Sequence, residues 1–589
     1  MRTGQKTHSS RRTTLRWVVL ASTVALVGLA AVYAWQARTA YVDLRSAQDR
    51  VGVLRQQIAD GDLDGARATA ERFADETTAA RQAVHGPHWA MIGVLPVLGA
   101  NVEAVQTVTA TVDDLAVDTL PDLIAAAETV APERMAPVKG RVDVRPLREV
   151  APRIQAAHRD VAAAEERVTG VDTAQLVPQL RSPVADLAAT LTELSGLTGT
   201  ATRLAELIPP MLGADGPRDY LLLAQNTAEP RALGGIPGAV IAIRADHGRV
   251  ELVEHRTGSS FGNRGRPVLR LSSAERALFG TQLGRYMQNV TSTPDFPRAA
   301  RLARRMWADE TGTEVDGVAS IDPYALQLLL RATGPVTVPG GGRLTGDNAA
   351  QVLLNQVYID YPDPDAQDAF FASAAARVFD KVMSGEGDLR ATAKALVEAT
   401  EQGRILLWSA RAPEQAVLAT TALAGELRGE QEDSPVVGVY LHDRSGAKIA
   451  YYERMRVEVA ETDCRADGAK DLTVSVRLTS AVPRDVEGLP DYLTGGGVVV
   501  PEGQIRTDVL LYAPSNGMIE DVRASTGGGV TPQVHAGLPV VSHTVVIPPG
   551  KSVTLDYELS VVGLPGKTRL RTTPSAIEGN FRRLVSHCP

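Results

Sequence analysis

Tyr220 to Arg256 reads YLLLAQNTAEPRALGGIPGAVIAIRADHGRVELVEHR, and this run decides the fold. Tyr220–Leu223 is a continuous apolar segment, long enough for a buried strand. Ala239–Ile243 is a second, rich in β-branched residues, and Val250–Val253 is a third. Between the last two, Asp246-His247-Gly248 suits a tight hairpin, because glycine reaches the positive φ that such a turn needs. Between the first two lies Asn226–Gly238, polar and rich in glycine, with Asn226, Glu229 and Arg231 near its start. A polar loop leaving the end of a buried strand is a usual place for a ligand, so these residues are predicted to line a site.

Downstream, residues 209–412 alternate strand and helix patterns, which predicts an α/β layer structure. Gly317–Ile321 and Val336–Val338 read as strands and Pro297–Asp309 as a helix. Pro323 suits a first helical turn, Asp363-Pro364 reads as an N-cap with proline behind it, and Asp388–Gln402 is a further helix closed by Gly403. Residues 434–589 change character. Val436–Leu441, Lys448–Tyr452, Arg454–Ala460, Leu472–Leu478, Val498–Val500, Arg506–Tyr512, Val540–Ile547 and Ser552–Val562 are β-rich, with glycine and proline turns between them. Many short strands punctuated in this way predict a C-terminal β-sandwich.

Upstream, residues 38–208 read as a helical stalk or bundle. Leu44, Ala47, Val51, Leu54 and Ile58 alternate spacings of three and four, as do Leu180, Val184, Leu187, Leu191 and Leu194. Each seam is too short for a long coiled coil and suits a bundle. The apolar stretch His88–Gly99 is read as a buried turn of that bundle rather than a dip into a bilayer, because Pro96 spoils a helix.

The chain has 589 residues, 44% hydrophobic and 22% charged, so several globular domains are expected. A net charge of −8 argues against a nucleic-acid partner. Residues 1–16 are a basic tail carrying Arg2, Lys6, Arg11, Arg12 and Arg16. Trp17 to Trp35 then holds no charge, and at about 1.5 Å per residue it covers a bilayer core, with both tryptophans at the interfaces. Residues 17–36 are therefore predicted to be one transmembrane helix, with the basic tail cytoplasmic and the bulk of the chain outside a plasma membrane. A cleaved signal peptide, for which Ser10-Arg11-Arg12 admits the twin-arginine type, is the competing reading, but no Ala-x-Ala site follows. Cys464 and Cys588 fall on the outer side, where a disulfide between them is expected; two unpaired thiols are the alternative.

The run Leu221–Arg231, Gly234-Gly235, Asp316-Gly317-Val318, Ile321-Asp322-Pro323, Ala332–Val336, Leu344-Thr345 and Tyr361-Pro362-Asp363 resemble a bacterial membrane-protein family carrying domain of unknown function 4012, over roughly residues 80–410. The order of elements in 209–412 also resembles the LytR-CpsA-Psr phosphotransferases, membrane-anchored enzymes that move glycopolymers from polyprenyl-pyrophosphate lipids to peptidoglycan. That resemblance places Arg256 on the family's arginine in Val253–Thr257 and aligns Gln288-Asn289-Val290 with its Lys-Ile-Asn motif. It implies phosphate-binding roles for Arg231, Arg256 and Asn289, with Glu229 and Asn226 nearby. The sequence departs where the family carries a Mg²⁺-binding Asp, since Ala232-Leu233-Gly234 follows Arg231, and Thr257 replaces the Asp after the second arginine.

The overall expectation is a multi-domain α+β protein: one N-terminal transmembrane helix, an extracytoplasmic helical bundle, an α/β LytR-CpsA-Psr-like domain and a C-terminal β-sandwich. The leading functional expectation is binding of an envelope glycopolymer or its polyprenyl-pyrophosphate carrier, with Arg231 and Arg256 converging on the phosphates. One alternative is a phosphotransferase that attaches glycopolymer to peptidoglycan, and Mg²⁺ is expected only in that case. The other is a non-enzymatic scaffold whose β-sandwich grips another envelope protein. No catalytic residue and no protein metal ligand is singled out by motif.

Overall fold

The structure, a computed structural model, describes residues 50–586 apart from 59, 87–88, 90–97, 341, 466–468, 485, 487, 526–528 and 578–580. The basic tail, the predicted anchor with Trp17 and Trp35, and Cys588 lie outside these residues, as does the side chain of Cys464, so the predicted disulfide lies outside them too. Among the described residues no helix is long and apolar enough to cross a membrane. The chain divides into two compact units, Met1–Arg134 with Arg145–Ile208, and Met135–Val144 with Pro209–Pro589.

The first unit is helical: α1 (Leu63–Val84), α2 (Leu98–Asp114), α3 (Leu120–Thr129), α4 (Arg145–Thr169) and α5 (Pro178–Met211). Asp62 starts α1 by accepting from Gly65 N at 3.0 Å, a side-chain cap for an otherwise unbonded N–H. The buried faces carry small residues. In α4 they are Val150, Ile154, Ala157, Val161, Ala164 and Val168, again alternating spacings of three and four. The predicted seam of α5 contributes Leu180, Val184, Leu187 and Leu191 to a core with Ala104, Ala164 and Val168. Trp89, from the predicted buried turn, is itself buried against Val84 and Val102.

The second unit is built on a mixed sheet of order β3-β2-β1-β4-β7, comprising β1 (Arg218–Arg231), β2 (Gly234–Asp246), β3 (Arg249–Thr257), β4 (Gly317–Ile321) and β7 (Ile405–Ser409). A small hairpin of β5 (Val336–Val338) and β6 (Gly342–Leu344) stands beside it. The predicted turn joins β2 to β3, with His247 at φ 50° and Gly248 at φ 80°. The predicted loop Asn226–Gly238, however, is mostly strand. Only Ala232 and Leu233 separate β1 from β2, and the expected open loop is a hairpin tip. The glycines explain why: a Cβ on Gly235 would collide with the Asn226 carbonyl, so Gly235 lets the two backbones close rather than admitting a ligand.

Helix α6 (Ser273–Phe279) and a 3₁₀ turn, Met287–Ser292, lead into α7 (Phe296–Thr311). Helices α8 (Pro323–Thr333), α9 (Pro364–Met383) and α10 (Leu389–Glu401) follow, each opened by an aspartate cap: Asp322, Asp363 and Asp388. Phe296, Leu302, Met306 and Trp307 of α7 bury the sheet residues Leu221, Leu223, Val240 and Val318. Each such fully buried side chain is worth about 1.5–3 kcal/mol of transfer free energy.

The C-terminal strands are β8 (Glu430–Gln431), β9 (Ser434–Asp443), β10 (Glu453–Cys464), β11 (Lys470–Ser480), β12 (Ile505–Tyr512), β13 (Gly517–Ala524), β14 (Val530–His535), β15 (Leu538–Ile547), β16 (Ser552–Val561), β17 (Arg569–Thr572) and β18 (Phe581–Ser586). They form two sheets, β14-β15-β12-β9-β17 and β13-β16-β11-β10-β18. Alternate residues of both sheets meet in one core, among them Val439, Val509 and Val545 from the first and Val457, Val474 and Leu555 from the second. Two expected strands are absent. Lys448 instead precedes a 3₁₀ turn, Ile449–Tyr452, whose Ile449 and Ala450 are buried. Val498–Val500 follows three glycines with φ of 80°, 53° and 73°, a backbone that turns away from any sheet, and Val498 is 86% exposed. The α/β part and the two-sheet part are not separated by a loose linker: Tyr440, Leu510, Tyr512, Leu538 and Val540 belong to the same core as Leu221 and Phe296.

Candidate functional site

The end of β1 is where the sequence-predicted residues gather. Asn226 stands opposite Ile236 and Pro230 opposite Gly235, so Thr227, Ala228 and Glu229 bulge out of the ladder without partners on β2. Asn226 fastens this bulge. Its Oδ1 accepts from Ala228 N at 3.0 Å, and its Nδ2 donates to the Tyr358 hydroxyl at 2.8 Å. The bulge aims Glu229 at Lys448, whose ammonium lies 2.9 Å from Glu229 Oε2. At that distance the two form a close, charge-assisted pair. The same ammonium lies 4.1 Å from the ring centre of Tyr492 and 4.9 Å from that of Tyr358, within cation–π range. Burial alone would lower the Lys448 pKa, but the Glu229 carboxylate and Tyr492 hydroxyl raise it above the ordinary lysine value.

Arg231 and Asn289 do meet. Arg231 Nε donates to Asn289 Oδ1 at 3.2 Å, and its Nη1 donates to the Pro230 carbonyl at 2.9 Å and to the Asp443 carbonyl at 3.5 Å. Burial lowers the guanidinium pKa, opposed by the nearby Asp443 and Glu229 carboxylates. Asp443 is pushed up to about 6 by its own burial, although Arg231 and Ser445 favour its charged form.

Arg256 is elsewhere. It stands opposite Val240, whereas Arg231 stands opposite Gly234. Six residues of β2 separate those partners (240 − 234 = 6), on the order of 20 Å at the rise of a strand. Its Nε donates to Glu254 Oε1 at 2.6 Å, Glu310 lies 3.6 Å from Nη1, and the guanidinium sits 5.7 Å over the Trp307 ring. The expected convergence of two guanidinium groups on one hollow is therefore not present. Each arginine is held by its own neighbours.

The bulge and the side chains it aims all lie in, or against, the stretch from Arg218 to Tyr358. Residues 215–358 match the family model described as protein of unknown function, DUF4012. The match falls inside the 80–410 span over which the resemblance was expected. No curated protein and no solved structure matches the chain. The DUF4012 segment supplies Asn226, Glu229, Arg231, Asn289 and Tyr358; Lys448, Asp443 and Tyr492 come from beyond it. Those last three were not legible as site residues. Lys448 is 219 positions from Glu229 (448 − 229 = 219), and nothing in its Ser-Gly-Ala-Lys turn announces a partner.

A Mg²⁺ ion, implied only by the phosphotransferase resemblance, does not fit this site. Ala232 and Leu233 follow Arg231 and are buried apolar residues at 1% and 7% exposure, and the Glu229 carboxylate faces an ammonium. Among the described residues no three His, Cys, Asp or Glu side chains gather as ligands.

Proposed function

We propose that this chain is a non-enzymatic scaffold of the cell envelope, anchored in the plasma membrane by residues 17–36 and holding another envelope protein outside the cell. In this reading the α/β part keeps a LytR-CpsA-Psr-like layout, and the two C-terminal sheets act as a β-sandwich joined rigidly to it through their shared core. The observation that carries the reading is the Glu229–Lys448 contact. The motif that would cradle a carrier pyrophosphate is occupied by the chain's own side chains. An incoming pyrophosphate would have to draw Lys448 away from Glu229 and then face the exposed carboxylate, a like-charge encounter in a poorly hydrated place.

One observation favours a second reading. Arg231 and Asn289, both expected phosphate donors, lie together, as binding of an envelope glycopolymer or its polyprenyl-pyrophosphate carrier would need. Equilibrium binding of a polyprenyl-pyrophosphate analogue to the full chain in detergent separates the two. The scaffold reading expects no binding beyond that of the neutral polyprenol, and a stoichiometric protein partner that co-purifies after polymer-degrading enzymes. Saturable binding that Arg231→Ala abolishes would select the second reading and overturn the scaffold.

A further inference from the structure

Strand β3 is the outer edge of the α/β sheet, and beside it runs a groove of about 640 Å³. Its volume falls within the roughly 300–1,000 Å³ of ligand-sized clefts. One wall is Val250 and Leu252 of β3; the other is Ala376, Phe379 and Met383 of α9. The groove is preformed. The turn at Val138–Arg141 ties its two walls at one end: Val250 N donates to the Gly140 carbonyl at 3.1 Å, and Gly140 N donates to the Met383 carbonyl at 3.3 Å. Gly385 packs so closely on the Pro137 carbonyl that no side chain fits there.

The backbone says what kind of molecule belongs in it. Val250 turns its N–H outward, and outward rungs recur at every second residue of an antiparallel edge, so Leu252 also presents its N–H and C=O to the groove. Among the described residues Leu252 makes no backbone bond outside its own sheet. The register irregularity after Leu252 leaves Val253 58% exposed and ends the regular edge there. Two charges at the groove, Lys139 and Asp380, have no ion-pair partner among the described residues, whereas Arg249 and Glu251 pair with each other. A lipid tail would satisfy the apolar walls but neither the open rung nor the opposite charges.

We propose that this groove binds an extended peptide segment of a partner protein, added as a strand to β3, with apolar side chains toward α9, an acidic side chain near Lys139 and a basic one near Asp380. The proposal deepens the scaffold reading and rests on it only for the partner's being a protein.

The test selects a phage-displayed library of random heptapeptides on the full chain in detergent, then measures the enriched peptides by fluorescence polarisation. Enriched sequences should alternate apolar residues and carry both an acidic and a basic side chain. Leu252→Pro, which deletes the outward N–H, and Phe379→Glu should each weaken them by about tenfold or more. The surface double variant Lys139→Glu with Asp380→Lys leaves the core untouched and should prefer peptides with the charges reversed. No enrichment, peptides indifferent to all these changes, or full displacement by dodecanoate overturns the proposal. Failure here leaves the polyprenyl-pyrophosphate result standing, and failure there leaves this one standing, so the two readings fall separately.

Discussion

Two of the opposite-charge pairs inside the second unit, Asp322–Arg404 and Glu229–Lys448, are built differently. Asp322 and Arg404 are 2% and 6% exposed at their side chains, and nearly every polar atom is used. Asp322 Oδ1 accepts from Ala325 N at 2.8 Å, and Oδ2 accepts from Arg404 Nη1 at 2.6 Å. Arg404 also donates to Ser575 O and Gln402 Oε1 and stacks 4.2 Å over the Tyr324 ring. Glu229 and Lys448, at 17% and 9%, lean on charge and on two aromatic faces. The first pair is a fastening between the start of α8 and the C-terminal segment. The second joins Glu229, in the segment that matches DUF4012, to Lys448 from beyond it. The first pair is fixed by directional hydrogen bonds to backbone and side chains, the second by a close carboxylate and two aromatic faces.

The largest expected effect breaks the first pair. Arg404→Ala leaves Asp322 buried and charged, which costs about 3–5 kcal/mol. Chemical denaturation of the full chain should show the midpoint fall with an unchanged slope. Lys448→Met keeps the volume and the packing against Tyr358 and Tyr492 but strands Glu229. Because Glu229 retains some access to water, the expected loss is smaller, about 2 kcal/mol, and Lys448→Met with Glu229→Gln should recover most of it. A loss for Lys448→Met as large as that for Arg404→Ala would erase the distinction between the two pairs.

The difference also sorts what the sequence could say. Asp322-Pro323 is legible as a cap because donor and acceptor lie within four residues, and the same holds for Asp363-Pro364 and for the Asp246-His247-Gly248 turn. Arg404, 82 positions from Asp322, was not legible, and neither was Lys448. Local chemistry writes itself into adjacent residues, whereas a charge partner brought by a sheet does not. The Asn226–Gly238 run misled for a related reason. Asparagine, proline and glycine signal a loop, but here Gln225 Oε1 accepts from Gly235 N at 2.6 Å and Thr573 Oγ1 donates to the Ala232 carbonyl at 3.0 Å, so distant groups satisfy what would otherwise face water. The strand order of the α/β sheet was legible only for β2 and β3, which a short turn joins; the placement of β7 beside β4 depends on contacts that no window of sequence contains.

A buried carboxyl with no ion-pair partner among the described residues, that of Glu453, sharpens the comparison further. Glu453 Oε1 accepts from Thr507 Oγ1 at 2.9 Å, while Oε2 has no hydrogen-bond partner among the described residues. It lines a cavity of about 20 Å³ with Thr227, Thr573 and Ser575, room for a single water. Burial pushes the Glu453 carboxyl up to about 8, with Thr507 opposing and Asp443 adding to the rise. A carboxyl that holds its proton more tightly folded than unfolded contributes stability below its unfolded value, near 4.5, and loses it as pH rises through about 8. Between pH 6 and 8 the cost is roughly 2 kcal/mol. Asp443, raised to about 6, loses its share earlier, and His543, whose ring nitrogens find no partner among the described residues, acts in the opposite direction below its ordinary value. Glu453→Gln keeps the shape and removes this titration, so between pH 6 and 8 its stability should fall by about 2 kcal/mol less than the parent's. Parallel curves from pH 6 to 9 would mean that Glu453 is ionised in the folded chain and that a counter-charge, not a proton, balances it.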